Sequence, residues 1–449
     1  MNYIKDVLRI YLKSGGNTNM KTKRIACLLL AVIMIISLFG CAKNSSKGSD
    51  NSELGKVIKA ELANANGNIK FICAGLDGKN NENHPFMLAA KKFKELYGYD
   101  ISFISTGDSL WNDKFTASIA SGEPIDGCFV TVEQYINFIT RDYIQPLEDY
   151  MDLSKADKSA IEQFAKKDGK TYVAPLESSP YVIYYNKSVL ENYGFDADEP
   201  RKLYEEGKWN WDAFMNICKK CYDPDNFVVG LENMFVDVYL TSNNASVLKR
   251  DDSGLFKLNM ADSALKQTLE YIQNMHFKYH YAGGGYISGR TNFIAGNAAM
   301  CGAYSYDEHL FAEAIEDGSM VFEYGVAPFP YGPNNTEKIN PAWSQGFAIA
   351  TGSKVPKAMG KYFELCLEEW NKNEADTNEK LGITENQDFI KTLCGKINHV
   401  NYYEGIMSNG SGSFNLLDDV LNGGDINKKV GEYKPEYEKQ VEEINAFLE

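Results

Sequence analysis

From Ile69 onward the chain alternates short apolar runs with stretches in which apolar residues recur at helical spacing, and few folds accept that alternation. IKFICAG (69–75) predicts a buried strand, and HPFMLAAKKFKELYG (84–98) a helix that opens at Pro85 and stops at Gly98. DISFIST (100–106) predicts a second strand, SLWNDKFTASIASG (109–122) a helix and DGCFVTV (126–132) a third strand. Parallel strands need a long crossover, usually a helix, so this order predicts an α/β fold with a helix-covered parallel sheet. Ligands of such sheets sit beyond the carboxyl ends of the strands. That places AGLDGKNNE (74–82), STGDSLW (105–111) and TVEQY (131–135) on one rim, with Asp77, Trp111, Glu133 and Gln134 as candidate ligand contacts. Trp111 has a second reading, as part of the apolar face of its helix.

Ahead of this region, MKTKR (20–24) precedes IACLLLAVIMIISLFG (25–40), a basic segment followed by an apolar run of signal-peptide length that is short for a membrane span. Leu38, Phe39 and Gly40 lead into Cys41 in a way that resembles the bacterial lipobox, whose cysteine becomes lipidated and then the new N-terminus. Cys41 is therefore the expected anchor, against the alternative of an uncleaved membrane helix. The tract KNSSKGSDNSE (43–53) buries too little apolar surface to fold, so residues 41–66 are expected to form a flexible tether. Residues 1–19 read as an over-called start, with Met20 as the true one.

Leaving out residues 1–40 removes six Lys/Arg and one Asp from the chain's 46 basic and 61 acidic side chains, so the remainder carries about −20. Such a surface repels nucleic acid and anionic lipid, and excludes a basic patch as the membrane attachment. About four hundred residues exceed one ordinary core and predict two lobes. The chain's 28 Tyr and 24 Phe against 5 Trp suggest a cleft lined by rings with polar tips.

Seven cysteines follow Cys41 without regular spacing, so no disulfide framework is implied. CKKC (218–221) has redox or metal spacing, but a single pair after the amphipathic WNWDAFMNI reads as helix packing, with a disulfide between the two left open. In HFKYH, His276 and His280 have the helical spacing of a zinc pair, yet Phe277 stands where that motif needs glutamate. No metal site or cofactor is expected. Nucleophile elbow, P-loop and dinucleotide-binding glycine motifs are all missing, which argues against an enzyme. A pair of glycosidase carboxylates, defined only by separation in space, stays open.

Four further blocks occur in order: DGKTYVAPLESSPYVIYYNKSVLENYGFD (168–196), WNWDAF (209–214), FIAGNAAM (293–300), and YGVAPFPYGPNN (324–335) with WSQGFAIATGSKVPKAMGKYFELC (343–366). Together they resemble family 1 of the bacterial extracellular solute-binding proteins, the maltose-binding-protein-like lipoproteins of ABC importers. The resemblance implies a two-lobe, periplasmic-binding-protein-like (type II) α/β fold with hinge crossovers near APLESSP (174–180) and VAPFPYGP (326–333). The implied division runs 67–176 for the first segment of lobe 1, 177–327 for lobe 2, 328–372 for the return to lobe 1, and 373–449 for C-terminal helices mainly on lobe 2. Ala298, Ala299 and Met300 are expected to form a buried strand after a helix ending at Gly296.

For the site, the resemblance implies a stacking aromatic at Tyr306, where the relatives usually have Trp, and a hinge carboxylate at Glu177 that accepts sugar hydroxyls. Tyr304 lies beside Tyr306; Trp343, a loop tryptophan between Pro and Ser, reads as a second platform; Tyr181 faces either the cleft or the sheet. Tyr402 and Tyr403 are further candidates. The function implied is that of a monomeric, lipid-anchored binding protein on the extracytoplasmic face of the cell membrane. It would capture a carbohydrate, expected to be a neutral oligosaccharide, by hinge closure and deliver it to ABC permease subunits. A peptide, polyamine or sugar phosphate is the alternative ligand, and an adhesin or a carbohydrate-active enzyme the alternative class.

Overall fold

A computed structural model of the chain describes residues 50–74, 82–106, 111–163, 169–233, 236–253, 255–283, 285–399 and 415–448. Cys41, Asp77, Tyr402, Tyr403 and the side chain of Glu133 lie outside the described residues.

The first described element places a helix over 53–64, in the second half of the stretch expected as a flexible tether; residues 41–49 lie outside the described residues. Helix α1 (Glu53–Asn64) starts at Ser52, whose side chain caps Gly55 N, and buries Ile58 and Leu62. Those two residues stand four apart and share one face of the helix, enough to dock a segment that looks polar on average. Strand β1 (Ile69–Ala74), α2 (Pro85–Tyr97), β2 (Ile101–Thr106), α3 (Trp111–Ser121) and β3 (Gly127–Thr131) follow in the predicted order. Gly98 closes α2 with φ of +83°, a left-handed cap that glycine adopts without a Cβ penalty. The segment expected as rim loop around Glu133 instead forms α4 (Val132–Thr140), which follows β3 directly.

After β4 (Ile144–Gln145) comes β5 (Ala174–Asn186), then α5 (Trp211–Cys221), β6 (Val229–Glu232), the hairpin of β7 (Leu248–Arg250) and β8 (Phe256–Leu258), and α6 (Ser263–Gln273). The chain continues through β9 (Ala282–Gly283), α7 (Tyr286–Ile294), β10 (Ala298–Tyr304), α8 (Glu308–Glu316), β11 (Tyr324–Pro328) and β12 (Asn340–Ala350). It ends with α9 (Pro356–Leu381), α10 (Thr384–Leu393), β13 (Ile397–His399) and α11 (Ile426–Leu448). Ala298, Ala299 and Met300 are buried in β10, as a strand in the interior requires.

Among the described residues eleven strands form one mixed sheet, in the order β2-β1-β3-β12-β5-β10-β6-β9, with β11 on β5 and with β4 and β13 on β12. β1 is parallel to β2 and β3, and β6 is parallel to β9 and β10, so each end of the sheet is a parallel unit. Strand β5 joins the two ends. Its residues Ala174–Pro180 pair with β12, and Tyr181–Asn186 pair with β10 and β11. The segment expected as a hinge crossover at APLESSP is thus the first half of a continuous strand. Likewise the boundaries expected at 176/177, 327/328 and 372/373 fall inside β5, β11 and α9. Strand β12 slips register between Gln345 and Gly346. A Cβ on Gly346 would stand 2.3 Å from Ala174 O, so only glycine lets β12 pass β5 there.

The aromatic surplus is spent mainly on packing, which corrects the reading that assigned it to a cleft. In the first lobe Phe71 is surrounded by Phe86, Phe103, Phe347, Tyr362 and Phe363 at ring distances of 5.7–6.2 Å. Tyr135, Tyr181, Tyr184, Tyr185, Tyr239, Tyr362 and Tyr437 are fully buried. On β5, Tyr181, Ile183 and Tyr185 pack into one core cluster and Val182 and Tyr184 into another, because successive side chains leave opposite faces of a strand covered on both sides.

Candidate functional site

Strand periodicity assembles the centre of the site. Directly opposed residues of an antiparallel pair share a face, and here Gln345 faces Glu177, Trp343 faces Ser179 and Tyr304 faces Tyr181. Three neighbouring strands therefore bring Glu177, Trp343, Gln345 and Tyr304 to one side of the sheet at the junction of the lobes. Just beyond β10 a single 3-10 turn, Ser305–Asp307, turns Tyr306 back over Tyr304, with ring centroids 4.9 Å apart and planes at 9°. Trp343 closes the group at 5.4 Å from Tyr304 and 6.5 Å from Tyr306, edge-on to the latter.

The turn that presents Tyr306 is held from behind. Asp307 Oδ2 accepts from Tyr304 N at 3.0 Å, and its Oδ1 accepts from Arg290 at 2.5 Å. The next residue, Glu308, is fully buried and accepts from Asn386, Gln387 and Tyr324 at 2.6, 2.7 and 3.1 Å. Gln387 also donates to Ser305 O at 3.0 Å, which ties α10 to the turn. Burial raises the Glu308 carboxyl above its ordinary range, against the pull of those three donors.

Helix α9 forms the opposite wall. Trp370, Asn373, Glu374 and Thr377 recur every three or four residues, one stripe of the helix, and all four line the cavity. The Trp370 indole donates from Nε1 to Glu177 Oε2 at 3.0 Å, and Ser179 Oγ donates to Glu177 Oε1 at 3.2 Å. Burial, reinforced by the charge of Glu374, lifts the Glu177 carboxyl to about 7, while the bonds from Trp370 and Ser179 oppose the rise. His84 caps α2 by accepting from Phe86 N at 3.2 Å; burial pushes it down to about 4, so its imidazole is neutral at pH 7. The enclosed space is about 450 Å3, also bordered by Gln345, His309 and Gln387.

Of the residues expected to bind ligand, Glu177, Tyr306 and Trp343 line this one cavity. Tyr304 stacks beneath Tyr306, and Tyr181 lies fully buried beneath Tyr304 at 4.5 Å, a support rather than a lining residue. Trp111 is buried in the first lobe, 6.1 Å from Phe129, on the apolar face of α3. Gln134, half-buried on α4, is not among the described lining residues.

A second cavity of about 540 Å3 lies between the start of α5 and the end of α6, in the stretch expected as lobe 2, and residues 331–338, in the stretch expected as the return to lobe 1. Its aromatic tips are bound inward. Trp209 Nε1 donates to Pro328 O at 2.7 Å, Trp211 Nε1 to Ser242 Oγ at 3.1 Å, and Tyr331 OH to Asn340 Oδ1 at 2.8 Å. The Trp211 ring also stacks on Tyr271 at 4.1 Å.

Cys218 and Cys221 are both buried on α5 and free of any disulfide, and burial raises both thiols, Cys221 to about 12. Thiols so protonated are poor nucleophiles and poor ligands. His276 sits in a short π-helix, Asn274–Lys278, and His280 lies past its end with φ of +57°. Among the described residues no group of three His, Cys, Asp or Glu is placed to hold a metal ion, and no helix is long and apolar enough to cross a membrane.

Residues 79–369 match the family described as bacterial extracellular solute-binding protein. The chain belongs to that family. A relative, a putative binding protein of Brucella abortus, is 24% identical to this solute-binding protein over 249 residues, 49% of this chain and 53% of the relative. The chain thus matches about half the length of the curated relative. Two solved structures share the fold. The ABC substrate-binding protein Lmo0181 of Listeria monocytogenes, in complex with cycloalternan, superposes with a TM-score of 0.65 at 18% identity, over 83% of this chain and 98% of that one. Maltose-bound MalE3 of T. maritima superposes with a TM-score of 0.64 at 18% identity, over 83% and 99%.

Several lining residues of this solute-binding protein had no sequence signal of their own. Trp370 lies in LEEWNKNE, a charged helical stretch, and reaches a carboxylate 193 positions away. A lone tryptophan on an otherwise charged helix face was the one available clue. His84, Gln345 and Gln387 look like ordinary cap, strand and helix residues until the chain is folded.

Proposed function

We propose that this solute-binding protein captures a carbohydrate between its lobes and hands it to the membrane subunits of an ABC importer. The observation that carries this reading is the one cavity lined by Tyr306, which stacks on Tyr304, by Trp343 and by the carboxylate of Glu177. Rings offer flat apolar faces to the C–H face of a pyranose, and a carboxylate with amides such as Gln345 and Gln387 accepts and donates to its hydroxyls. Likeness to sugar-bound proteins of the same fold supports the choice. The lining residues come from both sides of β5, so a ligand touching both sides would favour closure, and closure would be the signal the permease reads.

On this reading Glu177, Tyr306 and Trp343 contact the ligand directly, Tyr304 backs Tyr306, and the protein binds without turnover, as a monomer. Calorimetry against a panel of oligosaccharides tests it. Stoichiometric binding with no product is expected; product formation, or binding only of peptides or sugar phosphates, would overturn it. Cys41 is assigned as the lipid attachment point. A single acyl chain holds a protein only marginally, so more than one is required. Cys41→Ser is expected to move the protein from the membrane fraction to the medium; retention at the membrane would refute the assignment.

A further inference from the structure

The cleft carries an imbalance of charge that binding of a neutral sugar does not use. Its described lining holds two carboxylates, Glu177 and Glu374, and no lysine or arginine. The groups that bind Glu177, Trp370 Nε1 and Ser179 Oγ, are neutral donors. The other titratable groups acting on it are no more helpful: Glu374 on α9 and Asp157 ahead of the helix Lys158–Gln163 both add negative charge. The Cys394 thiol past α10 is held protonated by burial, and His84 is neutral. The second carboxylate, Glu374, has among the described residues an ion pair with Lys391 at 3.9 Å, a side chain 55% exposed and outside the lining. His309, also in the lining, lies with Nε2 at 2.7 Å from Asn378 Oδ1.

Two carboxyls meet in this cavity, and burial together with the Glu374 charge keeps much of Glu177 protonated; a cation arriving with the ligand favours its ionised form and is itself favoured by it. The remaining walls suit the same visitor. Tyr306, Trp343 and Trp370 border the cavity, and an ammonium group over a tyrosine or tryptophan face is attracted by the ring's quadrupole. The sheet wall thus carries a carboxyl and a ring, Glu177 and Trp343, and the α9 wall another such pair, Glu374 and Trp370, surroundings that favour a protonated amine over a neutral hydroxyl.

We propose that the solute bears a basic amino group, as in an amino sugar, which is bound between Glu177 and Glu374 against the Tyr306, Trp343 and Trp370 rings. This rests on the carbohydrate reading and narrows it. The test is calorimetric titration of the full chain at pH 6.5 with matched tetramers of glucosamine, N-acetylglucosamine and glucose, and with the corresponding monosaccharides. The amine form is expected to bind at least tenfold tighter than its N-acetylated and hydroxyl counterparts. That preference should shrink severalfold between 20 and 300 mM salt, and Glu374→Gln should abolish it. Equal or tighter binding of the N-acetylated or hydroxyl form overturns the amine proposal and leaves the carbohydrate reading standing. Binding of none of these sugars overturns the amine proposal, and failure of the wider oligosaccharide panel with it overturns both.

Discussion

The cleft and the lobe-2 cavity are of similar size, about 450 and 540 Å3, and both are rich in rings, yet they are built in opposite ways. The lobe-2 cavity draws on the start of α5, the end of α6 and one loop, and the polar tips of Trp209, Trp211 and Tyr331 are bonded in turn to Pro328, Ser242 and Asn340. The cleft draws on the turn before α2, on β5, β12, α8, α9 and α10, and its acidic groups lack any arginine or lysine among the described lining residues. Volume and aromatic content do not separate the two; the charge of the lining does, with two carboxylates and no lysine or arginine described around the cleft, and Asp212 and Glu270 accompanied by Lys338 around the other.

The largest test of that distinction is Trp211→Ala. Removing a buried, stacked ring of this size is expected to cost about 3–5 kcal/mol in urea unfolding, with ligand affinity of the folded protein unchanged within twofold. A tenfold loss of affinity would show that the lobe-2 cavity takes part in binding. Tyr306→Ala is expected to behave the other way. The ring is only half-buried, so unfolding should shift by about 1–2 kcal/mol, while affinity for the best ligand should fall about tenfold for the lost stacking.

A smaller effect concerns the pH dependence of folding. The Glu177 carboxyl titrates near 7 in the folded chain and near 4.3 when unfolded. Between those values the folded form holds the extra proton, so its contribution to stability falls as pH rises through the window and stays low above it. Glu177→Gln removes the titration, and the variant should gain on the parent in melting temperature between pH 5 and pH 8. A constant difference would mean that the carboxyl is not raised. The smallest effect is expected from Trp370→Phe, which keeps a ring but deletes the donor to Glu177 Oε2. The Glu177 titration, followed by carboxyl NMR, should then move upward from its value near 7, since the lost hydrogen bond favours the ionised form.

The parallel units at the ends of the sheet could be read from the sequence because their signals are local: a strand of six residues, a helix opened by Pro85 and closed by Gly98, and a strand again. The joining of those units was not local. Pairing of Glu177 with Gln345 and of Tyr181 with Tyr304 spans more than a hundred residues, and no periodicity within β5 announces that one strand serves both lobes. The candidate contacts at Glu177 and Tyr306 came from family resemblance and Trp343 from its own setting in NPAWSQ, and the three converge on one cavity. Trp370 and Glu374 escaped because α9, at 26 residues, packs its first half in the core and carries the cleft stripe only in its second. Helix α1 was missed for the opposite reason: averaging over a polar tract hid two residues, Ile58 and Leu62, at the spacing that docks a helix.

The seven described cysteines are all free, six of them fully enclosed. No cross-link among the described residues is there to form or break with the oxidation state of the surroundings, so unfolding stability should trace a flat line against redox potential.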